Sequence, residues 1–309
     1  INTGEMAWCS VFRKVVQGPY TIIIIAILPM IYTILEQFKA WLYQVGYSAG
    51  TQKMLPACVE EFIQHQGITG ISCIEQEKVK DFYAWLQIRP LKYRPGALSE
   101  MMISHYVYAL KTFFGWAELT GQLDYNPISG LKFKRARSNH REPLSTQEIT
   151  QVFAMANTLK EIALLHIFYS CGLRRSEGEV LNSSDVHFKT QLLYVRAGKG
   201  AKRRVVPLTE KVSADLEAYY LQERYTTPTK TVKDTDAFLL NSTGGRMTGD
   251  QCNTAVKKLL VRAGLAGGIT LHHLRHSIAT HLLQSGMRMD DVRDFLGHYY
   301  LETTQIYAR

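Results

Sequence analysis

Apolar residues recur at helical spacing four times in the first half of the chain. Ile34, Leu35, Phe38, Trp41, Leu42 and Val45 share one face of a helix predicted over residues 34–45, and Gly46 supplies its stop. Leu55, Val59, Phe62 and Ile63 line up over 54–64, and similar patterns run over 79–86 and 103–119. This half therefore reads as all-helical. The stripe Tyr106, Leu110, Phe113, Phe114 and Ala117 has the shape of a base-stacking platform, but that spacing points first to core packing.

The pattern changes after Gly121. Asp124-Tyr125-Asn126-Pro127 is turn chemistry, and Lys132, Lys134, Arg135, Arg137 and Arg141 follow with no acid before Glu142. An interdomain linker is placed at 128–141. Ser145 with Glu148 three positions later makes a capping box that opens a second domain. Residues 192–196 and 203–208 have strand character around Ala197-Gly198-Lys199-Gly200-Ala201-Lys202, a glycine-rich hairpin turn. Helical patterns resume at 212–222, 251–263, 274–284 and 289–296. The expected fold is mainly α with a small β-hairpin or sheet, an α+β arrangement. Its parts are a helical domain over 30–127, the linker, and a second domain over 142–309.

Residues 1–29 are read apart from these. Thr21 to Leu28 is TIIIIAIL, preceded by Arg13 and Lys14 and interrupted by Pro29. The run is shorter than the ~20 residues a spanning helix needs, and no clear cleavage pattern follows. No membrane association is expected, and Met30 opens the soluble amphipathic pattern, so 1–29 reads as an apolar appendage or as sequence ahead of the natural start. Cys9, Cys58, Cys73, Cys171 and Cys252 are odd in number and lack any CxxC pair, which argues for thiols in a reducing cytoplasm rather than disulfides or zinc. A chain of 309 residues suggests roughly two domains of about 150 residues. Its net charge of +9 favours a polyanionic partner, because cations that neutralise phosphates release condensed counterions.

Four segments carry candidate chemistry: Gly172-Leu173-Arg174-Arg175-Ser176-Glu177, the Lys199 hairpin, His272-His273-Leu274-Arg275-His276, and Leu296-Gly297-His298 with Tyr307 nine positions on. Each alone has a bland explanation as a basic helix start, a solvated turn, a polar helix entry or a surface tyrosine. Their order and spacing do not. Together, Gly-Leu-Arg-x-Ser-Glu, Gly-Lys-Gly-x-Lys before Val-Pro-Leu, His-x-Leu-Arg-His, and Leu-Gly-His followed by Thr-Thr-Gln-Ile-Tyr resemble the tyrosine recombinases, the phage integrases and Xer-type enzymes. The resemblance covers the chain from about Glu142 onward, and the helical first half fits the family's core-binding domain by pattern only.

The resemblance implies a site-specific recombinase that cleaves and rejoins double-stranded DNA through a 3′-phosphotyrosyl link, with exchange through a Holliday junction and no metal or other cofactor. The chemistry accounts for the residue types. Forked cations lower the barrier of a phosphorane carrying extra negative charge, the role given to Arg174 and Arg275. A phenol with a pKa near 10 needs help to attack. By resemblance Tyr307 is the nucleophile, His272 the base and His298 a hydrogen-bond donor to the phosphate. Lys199 protonates the leaving 5′ oxygen, with Lys202 as runner-up. Glu177 lies one helical turn from Arg174 and is expected to orient it. Arg175 fills a variable slot. Lys132, Lys134, Arg135, Arg137, Lys202 and Arg203 are expected to contact the DNA backbone. A homo-tetramer on two DNA sites, or a hetero-tetramer with a paralogue, is the implied assembly. Family members usually continue past the tyrosine into a segment that docks on a neighbour, and this sequence ends at Arg309. Residues 1–29 are too short and apolar for an arm-binding domain, so a short core site is the expected target.

Rival readings differ in chemistry. His272 and His276 stand at the i, i+4 spacing of a metal hydrolase, but the glutamate of His-Glu-x-x-His is missing, since position 273 is His. A non-catalytic DNA-binding regulator would not need all six catalytic positions. A type IB-like topoisomerase shares the nucleophile chemistry, and the Xer-like spacing favours recombination over it.

Overall fold

The helices predicted from apolar periodicity form, and most begin two or more residues before the pattern does. In a computed structural model the backbone is described over residues 21–91, 95–136, 142–196, 203–224, 233–265 and 268–297, with side chains from residue 32 onward except 73. The chain divides into two compact units, Ile1–Asn139 and His140–Arg309.

In the first unit, helices α1 (Thr21–Gln44), α2 (Ala49–His65), α3 (Gln76–Ile88) and α4 (Glu100–Leu119) surround one core. Helix α2 starts five residues before its apolar pattern because Ser48 caps it, its side chain accepting from the Thr51 amide. Ser99 caps α4 in the same way through Met102. Phe38, Leu42, Leu55, Val59, Phe62, Val79, Phe82, Phe113 and Phe114 are fully buried. Phe62 meets both Phe82 and Phe114 edge-on at 5.1 and 5.9 Å. The stripe Tyr106, Leu110, Phe113, Phe114 and Ala117 is thus core.

Two boundaries differ from the sequence reading. Helix α1 runs unbroken through position 29, so the backbone shows no division at residue 30. The stretch from 128 is not a free linker at its start: Ile128 is buried, and Leu131 and Phe133 pack on the first core. Alternation there sends the apolar residues inward and leaves Lys132, Lys134 and Arg135 exposed. Arg137 lies outside the described residues. No helix among the described residues is long and apolar enough to cross a membrane.

In the second unit, α5 (Thr146–Ala154) begins with the expected capping box between Ser145 and Glu148. Helix α6 (Leu159–Leu165) continues into a π turn, His166–Ser170, and α7 (Arg175–Glu179) follows. Three antiparallel strands, β1 (Val186–His187), β2 (Leu192–Val195) and β3 (Arg204–Pro207), form a sheet in that order. Its register pairs Leu193 with Val206 and Val195 with Arg204. Then come α8 (Glu210–Ala218), α9 (Gly249–Arg262), α10 (Leu271–Gln284) and α11 (Met289–Leu296). Helix α6 and its π turn escaped the pattern search because Ala163, Leu164, Leu165, His166, Ile167 and Phe168 are all buried, so no polar face marks the period. The described chain is mainly helical with one small antiparallel sheet.

Candidate active site

Glycine makes the bend that places Arg174. After the π turn the chain reverses at Gly172, whose φ of +58° lies in the left-handed region. An added Cβ there would sit 3.1 Å from Leu296 and 3.3 Å from Phe295, so the bend packs directly on the end of α11. Two residues on, Arg174 is the N-cap of α7, and the Glu177 side chain reaches back to its amide at 2.8 Å.

Glu177 is the hub of the second unit's polar interior. Its side chain has no exposed surface, and Arg174 Nη1 donates to its Oε1 at 2.7 Å. Arg204 forks onto it, Nη1 to Oε1 at 2.9 Å and Nη2 to Oε2 at 2.8 Å. Arg275 Nη1 stands 3.8 Å from Oε2. Burial by itself would raise the Glu177 carboxyl, but the Arg204 fork and then the Arg174 contacts outweigh it and bring the pKa down to about 2. One carboxylate therefore faces three guanidiniums.

The same three guanidiniums hold the end of α11. Arg204 Nε donates to the Phe295 carbonyl at 2.9 Å, Arg275 Nη2 to Leu296 at 2.6 Å, and Arg174 Nη2 to Gly297 at 3.0 Å. The last carbonyls of a helix lack intrahelical partners and carry the negative end of its dipole, so cations are the favoured caps. Arg275 also donates to the Gly172 carbonyl, which ties the bend to the same cluster. Gly297 takes φ +65°, and a Cβ there would come within 2.9 Å of the Arg204 side chain.

Of the expected clamp, Arg174 keeps 24% of its side-chain surface and Arg275 keeps 2%. Arg174 is the accessible fork, with Arg275 behind it. His272, at the start of α10, is exposed, but crowding around its ring first and then the charges of Arg275 and Arg174 hold its pKa below the ordinary imidazole value. It is neutral near pH 7, with a lone pair able to accept a proton. His273 plays a structural part, its Nδ1 accepting from the Thr270 amide at 2.9 Å. Arg175 points away to Asp250 at 2.5 Å. Among the described residues no three His, Cys, Asp or Glu side chains gather as metal ligands around His272 and His276.

Arg203 is exposed and lines a cavity of about 500 Å³ on the sheet with His187, Tyr194 and Arg196. In the first unit Lys134 pairs with Glu100 at 2.6 Å. Lys199, Lys202, His298 and Tyr307 lie outside the described residues. Arg204 was missed by the motif reading. The available signal was strand alternation: Val206 and Leu208 face inward, so position 204 must as well.

Residues 142–309, more than half of the chain, match the family model described as the phage integrase family. The tyrosine recombinase XerC of Oceanobacillus iheyensis is 30% identical over 253 residues, covering 80% of each chain. XerC 2 of Ralstonia nicotianae is 32% identical over 275 residues, covering 85% of this chain and 77% of that protein. A tyrosine recombinase of Thermosipho africanus is 30% identical over 278 residues, 89% of this chain and 94% of the relative. Among solved structures, the Tn1549 transposon integrase in complex with circular intermediate DNA superposes with a TM-score of 0.68 at 18% identity, covering 89% of this chain and 94% of that one. A lambda integrase dimer bound to a core site gives 0.67 at 14% identity, covering 90% and 95%. At such identities these two neighbours speak to the fold.

Proposed function

Because the chain belongs to the phage integrase family, the tyrosine recombinases, we propose that it is a site-specific DNA recombinase that cuts and rejoins strands through Tyr307. The observation that carries this reading is the convergence of Arg174 and Arg275 on one buried carboxylate, directly before the Gly297-His298 sequence.

In the proposed reaction Arg174 receives a non-bridging oxygen of the scissile phosphate. Its two side-chain hydrogen bonds within the protein leave three of five N–H groups for that contact. Arg275 adds its charge from behind, and His298 donates a further hydrogen bond. Tyr307 Oη attacks phosphorus while neutral His272 takes the phenol proton. The bond to the 5′ oxygen breaks, and Lys199 supplies the proton to that oxygen. A 3′-phosphotyrosyl link and a free 5′ hydroxyl result, so the bond energy is kept in the adduct. Attack by the 5′ hydroxyl of a partner strand reverses the step, and two such exchanges pass through a Holliday junction. Lys132, Lys134, Arg135 and Arg203, all exposed, are assigned to the DNA backbone, together with Arg137 and Lys202. The proposed assembly is a tetramer on two core sites, acting in the cytoplasm.

A duplex nicked close to the attack site tests this, because the released fragment diffuses away and the adduct is trapped. Covalent protein–DNA complex is expected with the natural chain and none with Tyr307→Phe, which still binds DNA. An intact chain that binds a cognate site but never forms adduct would favour a non-catalytic regulator, and relaxation of plasmids lacking any specific site would favour a topoisomerase.

A further inference from the structure

Arg204 is a buried cation that the proposed reaction has not used. It sits on β3 with only 5% of its side chain exposed and commits all three guanidinium nitrogens inside the protein. Two go to Glu177 at 2.9 and 2.8 Å, and Nε goes to the Phe295 carbonyl at 2.9 Å. Burying such a charge is unfavourable unless it is paired, and here one side chain bridges the carboxylate that holds Arg174 and the helix end that leads to His298.

The geometry limits what Arg204 can be doing. With its nitrogens engaged and its surface covered, it has no open face for a phosphate. Its fork instead fixes the plane of the Glu177 carboxylate, whose Oε1 and Oε2 then bind the Arg174 side chain and amide. Without that fork the carboxylate could turn toward Arg174 and Arg275 and neutralise the charge meant for DNA. We propose that Arg204 is a positioning residue for strand cleavage: it anchors Glu177 so that Arg174 stays oriented, and it holds Phe295 so that the chain enters His298 from a fixed point. This rests on the recombinase reading.

The test uses the full chain with Arg204→Lys, Arg204→Gln and the double variant Glu177→Gln/Arg204→Gln. Single-turnover adduct formation is measured on a nicked duplex at saturating protein, with DNA affinity measured separately. Cleavage by Arg204→Gln is expected to slow by about 10- to 100-fold, the usual range for a supporting residue, while Kd changes by less than about threefold. Arg204→Lys recovers part of the rate, since an ammonium keeps the charge but cannot fork.

A pH profile separates positioning from general damage. Among the described residues the charged groups facing Glu177 are Arg174, Arg204 and Arg275, and His272 titrates beside the last and first of these. With Arg204 gone, the Glu177 carboxyl moves up, so Arg204→Gln gains an acid loss of cleavage that the double variant lacks. The His272 limb is common to both. Wild-type cleavage rates in both single variants, a parallel fall in DNA affinity, or superimposable profiles for Arg204→Gln and the double variant would each overturn the inference. If the natural chain forms no adduct at all, the recombinase reading fails first. Amide exchange over residues 289–297 then decides the rest: faster exchange in Arg204→Lys supports the anchor, and unchanged exchange refutes it.

Discussion

Replacing Glu177 with glutamine tests the hub of the cluster directly. Glutamine has the shape of the protonated acid at every pH, so the variant shows what the negative charge contributes. The carboxyl is held at about 2 against an ordinary 4.5, on a side chain with no exposed surface. At about 1.4 kcal/mol per tenfold, that gap is worth about 3 kcal/mol. Because the folded pKa is the lower one, the stabilisation is complete above about 4.5 and is lost as pH falls through about 2. For a unit the size of His140–Arg309 each kcal/mol moves the midpoint by roughly 2–4 °C, so Glu177→Gln should melt roughly 6–12 °C lower at pH 7. The difference should shrink steadily below pH 4.5. Calorimetry or far-UV circular dichroism reads the transition, and the molecule supplies its own control. Trp8, Trp41, Trp85 and Trp116 all belong to the first unit, so tryptophan fluorescence follows that unit's transition separately from the whole-chain signal. A variant melting within about 2 °C of the natural chain at pH 7, less than one kcal/mol on that scale, or keeping its full deficit at pH 3, would refute the reasoning.

Gly172→Ala should also destabilise the second unit, by about 1–2 kcal/mol for a left-handed alanine. The 3.1 Å approach to Leu296 adds to this, and thermal melting with adduct formation checks both effects. Cleavage should fall on acidification as His272 takes a proton, with a midpoint below the ordinary imidazole value of 6.5, because crowding and then Arg275 and Arg174 disfavour the cation. His272→Gln should lose that limb, and a limb retained in the variant would remove His272 from the base role. Neutralising Lys132, Lys134 and Arg135 together should weaken binding to all DNA sequences alike. The slope of log K against log salt should become shallower by roughly 2–3, at about 0.9 per phosphate contact. A loss confined to the cognate site would contradict this.

The sequence made the cluster's members visible more readily than its wiring. Arg174, Glu177 and Arg275 stand in local motifs, and the three-residue step from Arg174 to Glu177 already implied contact, which the structure shows as a 2.7 Å bond. Arg204 was hidden by its neighbours, since Arg203-Arg204 after a glycine-rich turn reads as solvated charge until alternation is followed down from Val206. The carbonyls of Phe295, Leu296 and Gly297 had no signature at all, because backbone acceptors look the same in every sequence. Elements with a clear polar face were placed well, and α6, which runs into the fully buried stretch 163–168, was not. Within the stretch read as the linker, the basic residues Lys132 and Lys134 are conspicuous in the sequence, whereas the alternating Leu131 and Phe133, which pack on the first core, are not.

The balance of charge around Glu177 bears on how such a site could favour a transition state over a bound substrate. Three guanidiniums face one carboxylate, and the α11 terminus adds only about half a negative charge. Counted over these described groups alone, the balance is more than one positive charge in a partly desolvated setting. At an effective dielectric near 20, charges 4 Å apart interact by about 4 kcal/mol, so the excess is a substantial demand for negative charge. A phosphodiester, with one charge, meets part of that demand. A phosphorane, with a second charge developing on its oxygens, meets more, and the difference between the two is what lowers a barrier. Glu177 then sets the level of the excess, for its removal would strengthen ground-state attraction to any phosphate while loosening Arg174. The proposed enzyme should accordingly lose cleavage in Glu177→Gln without losing affinity for DNA, and a variant that lost both equally would show that the carboxylate only holds the fold together.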